Sequence, residues 1–166
     1  EIINEQMRIH IIDGIKYKKI GESAYFNQEL FENEELFGYL KNNLKESEKS
    51  PYDYVVYDSN IESKLATEFE LNDNISVYAK LPNWFKIDTP LGTYNPDWAI
   101  LWKDENDEKL YFVVESKGST SLFDLRPKEQ GKIECGEKHF EALDSKMIVA
   151  SDINDIESFA LENHRI

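Results

Sequence analysis

The stretch from Asn95 to Lys117 allows few folds. Two apolar segments, Trp98-Ala99-Ile100-Leu101-Trp102 and Leu110-Tyr111-Phe112-Val113-Val114, flank the polar run Lys103 to Lys109. That is the pattern of a β-hairpin with a long loop. The first segment follows Pro96-Asp97 and the second ends in Glu115-Ser116-Lys117. In an antiparallel pair the start of the first strand lies beside the end of the second. Asp97 and Glu115, 18 positions apart in sequence, therefore become neighbours in space. Glu115 and Lys117 are two positions apart, so on a strand they share a face. Two carboxylates and an ammonium group converging at one end of a buried hairpin are costly to desolvate, and a bound cation would account for them.

The chemistry available to such a group is specific. Carboxylates in a shallow site suit a hard, oxygen-seeking ion such as Mg2+. The backbone carbonyl of Ser116, between Glu115 and Lys117, is a candidate third ligand. An ion held there can acidify water and stabilise charge on a phosphoryl oxygen, while Lys117 holds or helps deprotonate the water or neutralises developing charge. The implied reaction is phosphodiester hydrolysis. Strand-end carboxylates and lysines are also common as solvated turn residues, and that plainer reading stands beside the first.

The remaining segments predict what surrounds the hairpin. Arg8 to Ile12, the turn signal Asp13-Gly14, and Ile15 to Ile20 read as a strand-rich lead-in, followed by a helix from Glu32 or Asn33 to about Lys45 with Leu36, Phe37, Leu40 and Leu44 on one face. The polar run Lys45 to Pro51 separates this N-terminal strand and helix extension, residues 1–50, from a core of residues 51–166. Tyr52 to Tyr57 is extended. Ser59 and Glu62 fit a capping box opening a helix that carries Ile61, Leu65 and Phe69. Ile75 to Leu81 and Trp84 to Asp88 precede a turn at Thr89-Pro90-Leu91-Gly92. After the hairpin, Arg126-Pro127 opens a helix to about Leu143, with Pro127 in its first turn. Gly131 and Gly136 weaken that helix unless something packs closely against them. Met147 to Ala150 is a short buried strand, and Ser151 or Asp152 caps a last helix. The expected fold is α/β, a mixed central sheet with helices on both faces in three layers.

Charge limits how such a chain can meet nucleic acid. Nineteen basic residues face 33 acidic ones, a net charge of −14. Phosphate binding rests on Lys and Arg, so any nucleic-acid role must draw on local basic groups, metal ions or a basic partner. One cysteine, Cys135, forms no internal disulfide, and no Cys/His cluster suggests zinc. No apolar run is long enough to span a membrane, and a reducing, intracellular setting is expected. The chain opens on Glu1 rather than Met and is read as a domain of a longer protein.

Longer stretches around the hairpin are more specific than Pro96-Asp97 and Glu115-Ser116-Lys117 alone. Lys80 to Trp98, Leu110 to Gly118, Leu125-Arg126, and Lys132 to Gly136 with His139-Phe140 resemble the C-terminal endonuclease region of the Res subunit of type III restriction enzymes. Weaker matches reach back through Ile61-Glu62 and Tyr57-Asp58-Ser59 to Lys19-Ile20-Gly21-Glu22. The resemblance implies a PD-(D/E)XK restriction-endonuclease-like fold, with Asp97 and Glu115 as metal-binding carboxylates and Lys117 as the catalytic lysine. Glu62 matches a glutamate that many such nucleases place on the helix before the sheet, binding metal directly or through water. In the capping box the same side chain would only bond the helix end, and both readings stay open.

Lys132 and Arg126 are further candidates for phosphate contact, against a plain Glu129–Lys132 pair on a solvated face. His139 and Cys135 read as structural. Trp84, Trp98 and Trp102 could stack on bases but belong by default to the core. The resemblance further implies Mg2+ as cofactor, with Mn2+ able to substitute. It also implies double-stranded DNA as substrate in the cytoplasm of a prokaryotic cell, with a Res helicase-like motor domain and a Mod methyltransferase subunit as partners. ATP would act only at the motor, because this chain has no Gly-rich phosphate loop ending in Lys and Ser or Thr. The alternative is a non-catalytic, nuclease-like docking module of a larger DNA-processing complex.

Overall fold

Side chains that alternate between two apolar environments set the architecture. In strand β4 (Trp98–Lys103) every second residue is buried, while β5 (Lys109–Ser116) is buried without interruption from Phe112 to Glu115. A strand buried on both faces belongs in the middle of a covered sheet. The computed structural model describes residues 43–104, 109–118 and 127–163. Its main sheet has the order β3-β4-β5-β6, with β3 at Ile75–Lys80 and β6 at Lys146–Ala150. β3, β4 and β5 pair antiparallel and β5 pairs parallel with β6. Helix α1 (Asn60–Leu71) precedes β3, α2 (Pro127–Glu141) lies between β5 and β6, and α3 (Ile153–Asn163) follows β6.

Two apolar layers flank the sheet. On one side Leu65, Ala66 and Phe69 of α1 and Ile156 and Ala160 of α3 meet Tyr78, Trp98, Ile100, Phe112 and Val114. The Phe69 ring meets Trp98 and Tyr78 edge-on, with centroids 5.5 and 5.2 Å away, an arrangement aromatic quadrupoles favour. On the other side Ile133 and Phe140 of α2 cover Val113 and Met147, with Leu81, Ile87 and Tyr94 completing the layer. The result is the expected three-layer α/β arrangement. Trp98 and Trp102 are core residues, whereas Trp84 is half-exposed.

Capping chemistry explains the helix starts. Ser59 accepts the amide of Glu62 at 3.2 Å. Glu62 reaches back one residue further than a capping box requires and accepts the Asp58 amide at 2.9 Å. At α3, Asp152 is the cap, accepting the amides of Asn154 and Asp155. The turn at Thr89–Gly92 closes through the Gly92 amide to the Thr89 carbonyl, with Gly92 at φ +104°, a conformation glycine adopts without strain. α2 ends at Glu141, two residues before the expected Leu143, and Asp144 at φ +57° leads the chain out.

One expectation needs correction. The helix expected to run to about Lys45 does not include its last residues: Leu44–Glu46 form β1, paired antiparallel with β2 (Tyr54–Val56). Leu44 pairs with Val56 rather than extending a helical stripe. Lys45 turns to α1, bonding the Ser63 carbonyl and the Thr67 hydroxyl. The polar run 45–51 thus contains most of β1 and the loop to β2, and the expected division at residue 50 falls between the two strands. The rest of the expected N-terminal extension, residues 1–42, lies outside the described residues, as does Arg126. Among the described residues no helix is long and apolar enough to cross a membrane.

Candidate active site

Strand register brings the candidate residues together. Lys80 opposes Trp98, and Trp98 opposes Val114. Asp97, one residue before β4, therefore lies between the end of β3 and the end of β5, and its carbonyl accepts the Leu81 amide at 2.8 Å. Ala99 and Val113 face the α2 layer, so by alternation Asp97, Glu115 and Lys117 belong to that face. Lys80 shares the α1 face with Tyr78 and Trp98, its ammonium 5.0 Å from the centre of the Trp98 ring.

Each carboxylate has defined partners. Asp97 Oδ2 accepts the Ser116 amide at 2.8 Å and the Ser116 hydroxyl, and Asp97 Oδ1 pairs with Lys80 Nζ at 3.2 Å. Glu115 Oε2 accepts the Tyr94 hydroxyl at 2.6 Å, and Glu115 Oε1 pairs with Lys117 Nζ at 3.1 Å. Lys117 also pairs with Glu129, in the first turn of α2. Ser116 directs its amide to Asp97 while Lys117 directs its own to Ala150 of β6. In an extended residue the carbonyl leaves on the same edge as the amide, so the Ser116 carbonyl is turned to the Asp97 side. The middle residue of the triplet does more than offer backbone, because its hydroxyl also holds Asp97.

The electrostatics single out Glu115. Burial, then the charge of Asp97, push its carboxyl up to about 7, against the opposing pull of Tyr94 and Lys117. Burial also raises the Tyr94 phenol, helped by the neighbouring Glu115 charge, so it stays a neutral hydrogen-bond donor. Burial alone would lower the Lys117 ammonium, but its bond to Glu129 and the charge of Glu115 outweigh this and raise it.

Helix α1 contributes Glu62, which is 7 % exposed. Its Oε2 accepts the Asp58 amide at 2.9 Å and pairs with Lys80 at 2.6 Å. The side chain thus bonds the helix start, as the capping reading expected, and it joins the charged group through Lys80. Lys132 is not drawn in: its ammonium donates to the Thr93 carbonyl at 2.7 Å, tying α2 to the loop before Asp97. The expected Glu129–Lys132 pair gives way to Glu129–Lys117. His139 is half-buried with its ring edge-on to Phe140, and burial lowers its pKa. Cys135 is fully buried.

Three partners of the site escaped the sequence: Lys80, Tyr94 and Glu129. Lys80 and Tyr94 lie in the stretch around Pro96-Asp97, where a polar residue at a strand end opposite Trp98 was the available signal for Lys80. Glu129 carries no local signal, because its role depends on how α2 docks. Gly136 explains how Tyr94 fits. A Cβ there would lie 2.6 Å from the Tyr94 ring, closer than atoms tolerate, so the glycine leaves room for the ring that donates to Glu115.

Among the described residues no group of three or more His, Cys, Asp or Glu side chains forms a metal site. Two carboxylates supplemented by a carbonyl and waters nevertheless match how Mg2+ is usually bound. The mutual repulsion of Asp97 and Glu115 is what a cation between them would relieve.

Residues 48–156 match a protein-family model described as an endonuclease domain. Over 113 residues the chain is 33 % identical to the Res subunit of the type III restriction-modification enzyme EcoPI of Escherichia phage P1. It is 33 % identical over 113 residues to the Res subunit of the type III enzyme EcoP15I of Escherichia coli. Each alignment takes in 64 % of this chain and 12 % of the relative, so the chain spans a small part of the proteins it matches. No solved structure gave a significant match.

Proposed function

Since the chain belongs to the endonuclease-domain family whose model matches residues 48–156, we propose that it is the DNA-cutting domain of a type III restriction system. In this reading it hydrolyses phosphodiester bonds at the end of the Asp97–Glu115 hairpin. The observation that carries the reading is the convergence of Asp97, Glu115 and Lys117 at the ends of the two central strands, inside the matched segment.

Asp97 and Glu115, with the Ser116 carbonyl, are the residues that would hold Mg2+. When bound, the ion would supply a Lewis acid for the phosphoryl oxygen and acidify water. The residues themselves divide the remaining work. Tyr94 fixes one oxygen of Glu115 and leaves the other toward Lys117. Ser116 clamps one oxygen of Asp97 through two hydrogen bonds. Lys117, with its pKa raised, stays protonated at neutral pH. As a cation it can stabilise charge on the phosphate or hold the attacking water. To meet a phosphate it must release Glu129, whose side chain is 41 % exposed.

A net charge of −14 leaves the grip on DNA to other parts of a larger assembly in a prokaryotic cytoplasm. These are a helicase-like motor domain of the Res type, the place where ATP would act, and a Mod methyltransferase subunit. Plasmid cleavage by the intact assembly in Mg2+ tests the reading through Asp97→Ala, Glu115→Ala and Lys117→Ala. Each should abolish detectable cutting. Wild-type cleavage by all three would leave the domain as a docking module.

A further inference from the structure

Lys80 stands between two carboxylates, Glu62 and Asp97. It ends β3, with a side chain only 14 % exposed, and its ammonium lies 2.6 Å from Glu62 Oε2 and 3.2 Å from Asp97 Oδ1. A single ammonium thus joins a carboxylate of α1 to one of the hairpin while resting over the Trp98 ring. Three donors on a compact charge suit this position. Glu62 is also fixed from behind by the Asp58 amide, so it cannot swing toward Glu115 without losing its hold on the helix start. The charges around the site support the same conclusion. Four carboxylates, Glu62, Asp97, Glu115 and Glu129, are paired with two ammonium groups, Lys80 and Lys117. The two negative charges left over are matched by one divalent ion.

We propose that Lys80 is a positioning residue, the resident cation of the Glu62–Asp97 corner, and that the site consequently takes a single divalent ion, at Asp97 and Glu115. The proposal rests on the assignment of Asp97 and Glu115 as ion ligands. Glu62 then serves through Lys80, orienting Asp97, instead of touching the ion. Removing the ammonium leaves two adjacent carboxylates without a counter-charge and opens a second ion site between them.

Calorimetric titration with Mn2+ on the full-length protein tests this, counting only ions lost on Asp97→Asn. The wild type should bind one, Lys80→Arg one, and Lys80→Met two, with the second lost again in Lys80→Met/Glu62→Gln. Two such ions in the wild type, or one in Lys80→Met, would overturn the proposal. If Lys80→Met unfolds without metal, circular dichroism during the Mn2+ titration decides: refolding to wild-type helicity supports a cation replacing a cation, and continued unfolding contradicts it. No Asp97-dependent ion in the wild type would count against the Asp97–Glu115 centre itself. A Glu62-dependent ion gained in Lys80→Met would still support the role of Lys80.

Discussion

On the α1 face of the sheet Glu62 meets Lys80 at 2.6 Å; on the α2 face Glu115 meets Lys117 at 3.1 Å. The glutamates are similarly sheltered, with side chains 10 and 8 % exposed, so burial does not distinguish the pairs. Their remaining partners do. Glu62 is also held by a helix-end amide, and its lysine is shared with Asp97. Glu115 has a neutral phenol and the repelling charge of Asp97 beside it, and its carboxyl rises to about 7. Glu62 is answered by a helix-end amide as well as a lysine, whereas Glu115 keeps a charge, repelled by Asp97, that a cation could answer. Chemistry is expected where the protein leaves charge uncompensated.

The largest expected effect breaks this comparison at its active side. Glu115→Ala should reduce DNA cleavage by the assembly by roughly a thousandfold or more, as loss of direct transition-state stabilisation does. Glu62→Gln, acting on a residue one step removed, should cost roughly ten- to a hundredfold. Equal losses would dissolve the distinction between the faces. Gly136→Ala should then separate packing from charge. Its methyl group would crowd the Tyr94 ring that donates to Glu115, and the expected outcome is an unfolding free energy in urea lower by about 1–3 kcal/mol with weaker Mn2+ affinity.

The titration of Glu115 sharpens the comparison further. Its folded pKa of about 7 lies above the ordinary 4.5. Between those values the folded protein keeps a proton that the unfolded chain gives up, so stability falls as pH rises through the window, and the penalty is complete above about 7. Glu115→Gln lacks it. The unfolding free energy of the variant relative to wild type should be higher at pH 8 than at pH 5, by an amount on the order of 3 kcal/mol. A difference independent of pH would contradict the uncompensated charge. The smallest effect is expected at Lys132→Met, which loses one exposed bond to a loop carbonyl. It should shift stability by about 1 kcal/mol or less and leave Mn2+ binding unchanged.

Much of the framework was legible because it is local. The alternation in Trp98 to Lys103, the uninterrupted apolar run of β5, and the Ser59 cap each declare themselves within a few residues. From the hairpin alone the proximity of Asp97 to Glu115 followed, as antiparallel pairing requires. Leu44 shows where local pattern misleads. Its spacing from Leu36, Phe37 and Leu40 is helical, yet pairing with Val56 holds it in a strand. Tyr94, Lys80 and Glu129 were hidden for a different reason. Each reaches the site through tertiary docking: a loop folded over α2, a strand end beside Trp98, and a helix turn brought against Lys117. The wider stretch around Asp97 marked the region without revealing those bonds.

The central claim is that the hairpin end is a cation-binding cutting centre. Its most direct test is a crystal of the protein soaked in Mn2+ and examined by anomalous scattering. The account predicts one strong peak in contact with Asp97, Glu115 and the Ser116 carbonyl, with Lys80 still between Glu62 and Asp97. A fully soaked crystal with no peak there, or with the ion bound instead at Glu62, would contradict it.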